Sequence, residues 1–191
     1  MNEPDRDRDL MARAASGDRA AFTQLMDRHE DMVFAVAMRM MRDREAALDA
    51  TQETFLTLFR KADRYSGDAA VSTWLYRVAT NTCLDLLRKN KRRRTEALPE
   101  HHDEPDPSAG EPFTAVEVRP DIDAALRAIP DDFRAAVVLS DIHGLAIAEI
   151  GEILEIPPGT VKSRVFRGRR LLAEKLGNLA DPSQRQRTDD A

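Results

Sequence analysis

The sequence has a single cysteine, Cys83, few aromatic residues and no long apolar run. One cysteine excludes an internal disulfide and any metal site built from several thiolates. No stretch approaches the roughly 18 apolar residues of a membrane-spanning helix, and the charged start "MNEPDRDRDL" lacks the apolar segment of a secretion signal. Aromatics make up only 5%, whereas Ala, Leu, Arg and acidic residues dominate. This composition predicts an all-helical, soluble protein of the cytoplasm.

Charge is distributed unevenly along the 191 residues. The formal net charge is -5, yet Arg88–Arg94 holds six cations and no acid, and Lys162–Arg170 holds five cations. Between these two basic segments, Glu96–Asp123 carries nine acids against one arginine. Two basic segments separated by an acidic one predict two modules that bind a polyanion, joined by a linker. The alternative is that each basic segment is only a solvated helix surface.

Helical periodicity predicts two all-α modules. Apolar residues recur at spacings of three and four, and Asp18 stands where a helix N-cap is expected. The predicted helices are Asp9–Ser16, Arg19–Met41, Glu45–Ala62, Ser72–Lys91, Asp121–Ala128, Asp131–Ser140, Ala146–Leu154 and Gly159–Leu176. The proline-rich acidic segment between the modules has little to bury. We therefore expect small helical domains at 1–95 and 120–178, a flexible acidic linker at 96–119 and a disordered tail at 179–191.

The apolar spacing also predicts which faces of two N-terminal helices are buried. The expected core residues of the helix Glu45–Ala62 are Leu48, Thr51, Phe55, Leu58 and Phe59. Those of the next helix are Leu75, Val78, Ala79, Thr82 and Leu86, with Trp74 as an anchor and Cys83 as a core thiol.

The stretch "EIPPG" predicts a helix-turn-helix near the C-terminus. Proline interrupts a helix but suits its first turn, so a new helix is expected to begin at Pro158 or Gly159. At about 100° per residue, its core arc comprises Val161, Val165, Gly168 and Leu172. The outward arc comprises Ser163, Phe166, Arg167 and Arg170, with Lys162 and Arg169 on one flank and Arg164 on the other.

An aromatic residue on the outward face of a basic helix indicates a recognition helix. In a DNA major groove, Phe166 can pack on a thymine methyl group while arginine and lysine donate to guanine or phosphate. Arg169, on the flank, is expected to contact phosphate and to anchor the helix. The alternative is an ordinary amphipathic surface helix.

"IPPGTVKSRVFRGRRLL", preceded by "ALRAIPDDFRAAVVLSDIHGLAIAEIGEIL", resembles domain 4 of the extracytoplasmic-function sigma factors. A weaker resemblance links the same helix to the LuxR-type helix-turn-helix. The sigma resemblance implies that this helix recognises the -35 promoter element. The -35 contacts that it implies are Lys162, Ser163, Phe166 and Arg167, and the helical geometry adds Arg164 and Arg170 to the expected contacts.

"DATQETFLTLFRKADRY", followed by "STWLYRVATNTCLDLLRKNKRR", is similar to domain 2 of the same family. The resemblance implies that an exposed face docks on the β′ clamp of RNA polymerase through Asp49, Gln52 and Glu53. It also implies that a loop captures a flipped base of the -10 element. The expected -10 contacts are Tyr65, Ser66, Gly67, Asp68, Arg77, Asn81, Arg88 and Lys89.

The resemblance implies a transcription initiation factor rather than an enzyme. Its implied partners are core RNA polymerase, through the β′ clamp and the β flap, promoter DNA and an anti-sigma factor, with a monomeric free protein. The sequence predicts no cofactor, no metal site and no catalytic residue, because it contains no phosphate-binding glycine loop and no zinc spacing. The pair His101-His102 in the acidic linker makes a poor metal site. The alternatives are a free-standing dimeric helix-turn-helix regulator and a helical adaptor that binds RNA or an acidic protein.

Overall fold

The computed structural model describes residues 3–41, 43–96 and 120–180. Within these residues all regular secondary structure is helical, as the composition predicted. The chain divides into two compact units. The first unit contains α1 (Glu3–Ala15), α2 (Arg19–Met40), α3 (Arg44–Lys61) and α4 (Val71–Glu96), with a short 3-10 turn, Ala62–Arg64, after α3. The second unit is built from α5 (Pro120–Ala128), α6 (Asp131–Val137), the part of α7 (Ile147–Leu154) up to Gly151, and α8 (Pro158–Ala180).

Most helices extend beyond their predicted ends. α1 begins at Glu3 rather than Asp9, and α4 continues to Glu96, so that the basic segment from Arg88 lies within a helix. α6 continues into a π-helical turn, Val138–Ile142. Residues 97–119 and 181–191, which include most of the predicted linker and tail and the pair His101-His102, lie outside the described residues. In the described part of the chain, no helix is long and apolar enough to cross a membrane.

Side-chain caps set the starts of α2 and α3. Gly17 adopts a φ of 92°, which favours glycine, and reverses the chain after α1. The Asp18 carboxylate then accepts hydrogen bonds from the amides of Ala20 and Ala21, at 2.9 and 3.1 Å, as the sequence predicted. Its pKa is lowered, chiefly because Arg13 donates to it, and further because of these amide bonds. Asp43 caps α3 in the same way.

The core of the first unit differs from the prediction on α3. Leu48 and Phe59 are exposed to 42% and 55%, so their assignment to the core is wrong. The buried face is rotated toward small residues: it comprises Ala47, Ala50, Thr51, Thr54, Phe55 and Leu58. Small side chains allow α3 to pack closely on α2 and α4, which leaves a second apolar stripe facing outward.

The buried line of α4 agrees with the prediction in part. Leu75 and Ala79 are fully buried, and Cys83 is a buried free thiol, as predicted. Val78, Thr82 and Leu86 are only half-buried, because Thr80, Leu84 and Leu87 take the neighbouring core positions.

In the second unit, α8 packs chiefly on α6 and α5. The predicted core arc holds in part: Val161, Val165 and Gly168 are buried, whereas Leu172 is only half-buried. Gly168 is the point of closest approach, because a Cβ atom there would lie 2.5 Å from Cγ2 of Val137 and 3.1 Å from the carbonyl oxygen of Phe133. This close contact between α8 and α6 determines which face of α8 points outward.

Candidate nucleic-acid interface

The outward face of α8 combines an exposed aromatic ring with cations. Phe166 is exposed to 69%, the largest value among the exposed large hydrophobic residues of the described chain. Ser163, Arg167 and Arg170 are exposed on the same arc, and Lys162 is exposed beside them. Because Val161, Val165 and Gly168 hold the opposite side of the helix in the core, this arc is presented to solvent as the sequence predicted.

Several polar side chains of α8 have partners within their own unit. Arg169 donates two hydrogen bonds to Asp141, at 2.6 and 2.8 Å. This pair lowers the pKa of the Asp141 carboxyl and raises that of the Arg169 guanidinium. Arg164 lies 3.5 Å from Asp132.

The remaining polar groups of the outward arc are more available. Arg170 makes an exposed pair with Glu174 at 3.5 Å, and the Ser163 hydroxyl donates to the Thr160 carbonyl. Exposed pairs of this kind are weak. Among the described residues no carboxylate pairs with Lys162 or Arg167. These two cations and Phe166 are therefore the groups of α8 that are free for a ligand.

In the first unit, the loop between the 3-10 turn and α4 is held by side chains at both ends. The Tyr65 hydroxyl donates to the Ala69 carbonyl at 2.5 Å, and its ring meets Trp74 edge-on with 6.1 Å between centroids. Trp74 is half-buried, so it supports the loop rather than anchoring the deep core. Gly67 adopts a φ of 82°, and Arg8 of α1 donates to its carbonyl at 3.4 Å. The tip of this loop, with Ser66 and Asp68, is exposed.

A polar stripe on α4 follows the loop. At about 100° per residue, Arg77, Asn81 and Arg88 fall within about 40° of one another. Arg77 and Asn81 are half-buried, whereas Arg88 is exposed and pairs with Asp85 at 3.1 Å. Lys89 is exposed but lies about 100° away from the stripe, toward its flank. The loop and the stripe together form a polar, cationic surface, although Lys89 sits at its edge.

The exposed face of α3 carries the predicted acids and an apolar stripe, two members of which, Leu48 and Phe59, were expected in the core. Asp49 and Gln52 are exposed, and Glu53 accepts from Arg60 at 3.3 Å. Leu56 is exposed to 47% on this face, next to the exposed Leu48 and Phe59. The Phe59 ring meets Phe22 of α2 edge-on at 5.2 Å between centroids. Spacing alone could not reveal this stripe, because α3 has apolar residues on both faces.

The first unit contains a buried ionic cluster that the sequence did not predict. Asp7 of α1 accepts from Arg28 at 2.7 Å and from His29 at 2.8 Å, and Asp7 and His29 are both less than a tenth exposed. The cluster lines a cavity of about 380 Å³ together with Pro4 and Ala70–Ser72. No group of His, Cys, Asp or Glu able to hold a metal ion occurs in the described part of the chain.

The chain matches two family models. Residues 25–93 match sigma-70 region 2, which spans most of α2, all of α3 and most of α4. Residues 119–172 match sigma-70 region 4, which spans α5, α6, α7 and most of α8. The chain is also 40% identical over 173 residues to the ECF RNA polymerase sigma factor SigM of Mycobacterium tuberculosis, with 91% of this chain and 86% of that protein covered. The chain belongs to the extracytoplasmic-function sigma factors.

Other similar proteins agree with this assignment. The sigma factor is 32% identical over 180 residues to SigW of Bacillus subtilis, with 85% of this chain and 92% of that protein covered. It is 41% identical over 168 residues to SigE of Mycolicibacterium smegmatis, where the match covers 85% of this chain but 65% of that longer relative.

Among solved structures, the sigma factor is similar to CnrH in complex with the cytosolic domain of CnrY. That likeness has a TM-score of 0.66 and 26% identity, and covers 90% of this chain and 97% of CnrH. The sigma factor RpoE of Bartonella quintana, solved in complex with the anti-sigma factor NepR, shares the fold. The likeness to RpoE has a TM-score of 0.65 and 23% identity, and covers 82% of this chain and 96% of RpoE. Members of this family are transcription initiation factors, so the prediction that the chain is not an enzyme is confirmed.

Proposed function

We propose that this sigma factor binds core RNA polymerase in the cytoplasm and directs it to promoters through two DNA-contacting surfaces, one on each unit. The outward face of α8 recognises the -35 element. The loop before α4 and the polar stripe of α4 bind the opened -10 element. The observation that carries the proposal is Phe166, exposed to 69% between the cations Lys162 and Arg167.

The -35 assignment follows from the chemistry of the major groove. Exposing a large aromatic ring to water is unfavourable, so it needs a partner surface. A thymine methyl group offers an apolar contact, and guanine offers two acceptors to an arginine. Phe166 and Arg167 supply both types of contact, and Lys162 supplies a donor for phosphate. Ser163, Arg164 and Arg170 complete the proposed contact set, with Arg164 restrained by Asp132.

The -10 assignment rests on the exposed loop and the cations behind it. Opening DNA requires a base to leave the stack, which costs a few kcal/mol and is offset when the protein holds the extruded base. The exposed Ser66 and Asp68 offer hydrogen-bonding groups at the loop tip, and Tyr65 and Gly67 shape the loop. The helix then presents cations for the displaced single strand. The cations are Arg77, Arg88 and Lys89, and Asn81 adds a neutral side-chain amide to the same surface.

The polymerase assignment rests on the exposed face of α3. Asp49, Gln52 and Glu53 supply acids and an amide for a basic partner, and we add the neighbouring apolar residues Leu56 and Phe59 to this surface. Acidic groups around an apolar centre are typical of a protein interface. We propose that it binds the β′ clamp, and that the second unit binds the β flap.

We further propose that an anti-sigma factor holds this protein inactive, and that the free protein is a monomer. The support is the likeness to CnrH, whose structure was solved with the cytosolic domain of CnrY. An exposed apolar stripe such as Leu48, Leu56 and Phe59 is a surface that such a partner could cover.

Run-off transcription tests the proposed function. Core RNA polymerase and this protein are incubated with a DNA library that is varied at the upstream and downstream promoter elements, and the transcripts are sequenced. Enrichment of a pair of elements at fixed spacing, dependent on both proteins, is the expected result. A shift of palindromic DNA without polymerase would instead indicate a free-standing dimeric regulator. Transcription with no sequence preference would overturn the proposal.

A further inference from the structure

The two arginines that flank the outward face of α8 are paired with carboxylates of the protein itself. Arg169 donates from Nε and from an Nη atom to the two oxygens of Asp141, at 2.8 and 2.6 Å. On the opposite flank, Arg164 lies 3.5 Å from Asp132. The first pair is bidentate and joins residues 28 positions apart in sequence, so it forms only in the folded unit.

The position of these arginines on α8 has a consequence for DNA binding. The flanks of a helix in the major groove face the two phosphate backbones that form the walls of the groove. A free cation there adds affinity for any sequence, because each phosphate contact releases about one condensed counterion. A carboxylate that holds the guanidinium bidentately offers it the same geometry as a phosphate. Asp141 and a backbone phosphate therefore compete for Arg169.

We infer that Asp141 acts as an internal competitor for backbone phosphate, and that it lowers the sequence-independent part of the affinity of α8 for DNA by withholding Arg169. The inference rests on the proposed -35 function of α8. Asp132 acts in the same sense on Arg164, with the longer and weaker contact. Arg167 and Phe166 on the outward arc remain available, as does Lys162 on the flank, because no carboxylate of the described chain pairs with Lys162 or Arg167. With Arg164 and Arg169 withheld, fewer cations are left for phosphate, and the base-contacting groups Arg167 and Phe166 supply a larger share of the affinity.

This inference replaces the expectation that Arg169 anchors the helix on phosphate. If Arg169 is withheld, removing it from the native protein changes DNA binding little. If Asp141 is replaced first, Arg169 becomes available to phosphate, and replacing Arg169 then weakens DNA binding. A double-mutant cycle between the two residues separates this effect from the general loss of one negative charge.

The experiment uses holoenzyme formed from core polymerase and the full-length protein, bound to duplexes with a matching or a scrambled upstream element. Equilibrium affinity is measured between about 0.05 and 0.2 M salt, the range over which phosphate contacts change affinity strongly. The proteins compared are wild type, Arg169→Gln, Asp141→Asn and the double variant, with Arg167→Ala as the positive control for α8 contact.

We expect Asp141→Asn to steepen the salt slope by about one unit and to raise affinity for both duplexes about fivefold near 0.15 M salt. Arg169→Gln alone leaves the slope unchanged, and the double variant returns to the wild-type slope. A slope that falls by about one unit in Arg169→Gln alone would show that Arg169 already contacts phosphate and would overturn the inference. The same conclusion follows if Asp141→Asn leaves the slope unchanged.

The control distinguishes this failure from that of the proposed function. If Arg167→Ala weakens binding to the matching duplex while Asp141→Asn has no effect, only the inference fails. If Arg167→Ala also has no effect, α8 does not contact the -35 element and both fail. Should Asp141→Asn not fold, which its thermal melting reports, the slope of Arg169→Gln decides the outcome by itself.

Discussion

Asp7 of α1 and His29 of α2 lie 2.8 Å apart between Oδ2 and Nε2, with both side chains nearly buried. Arg28 donates to the other Asp7 oxygen at 2.7 Å. This cluster attaches α1 to α2, although α1 precedes residues 25–93, the segment that matches sigma-70 region 2. α1 also reaches the loop before α4, through the hydrogen bond from Arg8 to the Gly67 carbonyl.

Asp7→Ala is expected to loosen α1. It removes the acceptor of the buried His29, and a buried donor left unpaired costs roughly 1–3 kcal/mol. Amide exchange should accelerate throughout α1 and in the loop that Arg8 contacts, and urea unfolding should report the loss of stability. Asp9→Ala, at an exposed position of the same helix, is the matched control and should have little effect. Unchanged exchange in α1 would mean that apolar packing alone holds this helix.

Substitutions on the exposed face of α3 are expected to weaken polymerase binding without unfolding the protein. Asp49→Lys with Glu53→Lys reverses two charges on this face, and Leu56→Ser removes apolar contact area. Each variant should bind core polymerase at least tenfold more weakly, because interface centres combine apolar and charged contacts. The melting temperature should stay close to that of wild type. Retained affinity for core polymerase in both variants would contradict the docking assignment.

Arg167 and Phe166 are expected to determine different base preferences. Arg167→Ala should lose about 1–3 kcal/mol of discrimination at one base pair of the upstream element, the value of a bidentate contact. Phe166→Ala should reduce transcription most where thymine supplies a methyl group, and replacing that thymine by uracil should have the same effect on wild type. The measurement is transcription from templates that vary only in the upstream element. A uniform loss across all templates for both variants would indicate that α8 anchors rather than discriminates.

Gly168→Ala is expected to destabilise the second unit. The added Cβ would lie 2.5 Å from Cγ2 of Val137 and 3.1 Å from the Phe133 carbonyl oxygen, so α8 must move away from α6. Overpacking of this kind typically costs about 1–3 kcal/mol. Gly177→Ala, in the same helix, is the matched control, because nothing lies within 4 Å of its added Cβ. Combining Gly168→Ala with Val137→Ala should recover part of the stability measured by urea unfolding.

The Asp141–Arg169 pair should make the second unit sensitive to acid. The pKa of Asp141 is lowered in the folded state, chiefly because Arg169 donates to the carboxylate. Its contribution to stability is therefore complete above about pH 4, the range of an unfolded aspartate, and is lost as pH falls through the lower folded pKa. The pair is partly exposed, so we expect an effect of about 1 kcal/mol or less.

Asp141→Asn is expected to remove this acid dependence. The measurement compares amide exchange stability of α8 in the two proteins between about pH 6 and pH 3. The difference between the proteins isolates Asp141 from the other carboxyl groups. For a carboxyl with a lowered pKa, the stability difference between wild type and Asp141→Asn must shrink as pH falls. A stability difference that grows as pH falls would exclude this account.

The sequence by itself determined the helices of this protein and which face of α8 points outward. Asp18 marks the start of α2, because a carboxylate placed before a helix satisfies its free amides, and the pair Pro157-Pro158 marks the start of α8. These are local effects that act over a few residues. The outward position of Phe166 follows in the same way from its spacing to Val161 and Val165. The sigma family could be predicted for a related reason, since its motifs lie within continuous stretches.

The tertiary structure decided which apolar face of α3 is buried and which charges are paired. α3 has apolar residues on two faces, and only the close packing of Ala47 and Ala50 selects the one that leaves Phe59 outside. The ionic contacts Asp7–His29 and Asp141–Arg169 join residues 22 and 28 positions apart. Helical periodicity carries no information about such pairs, because they depend on how the helices pack against one another. The same packing distinguishes the paired Arg169 from the available Arg167, which are alike in sequence.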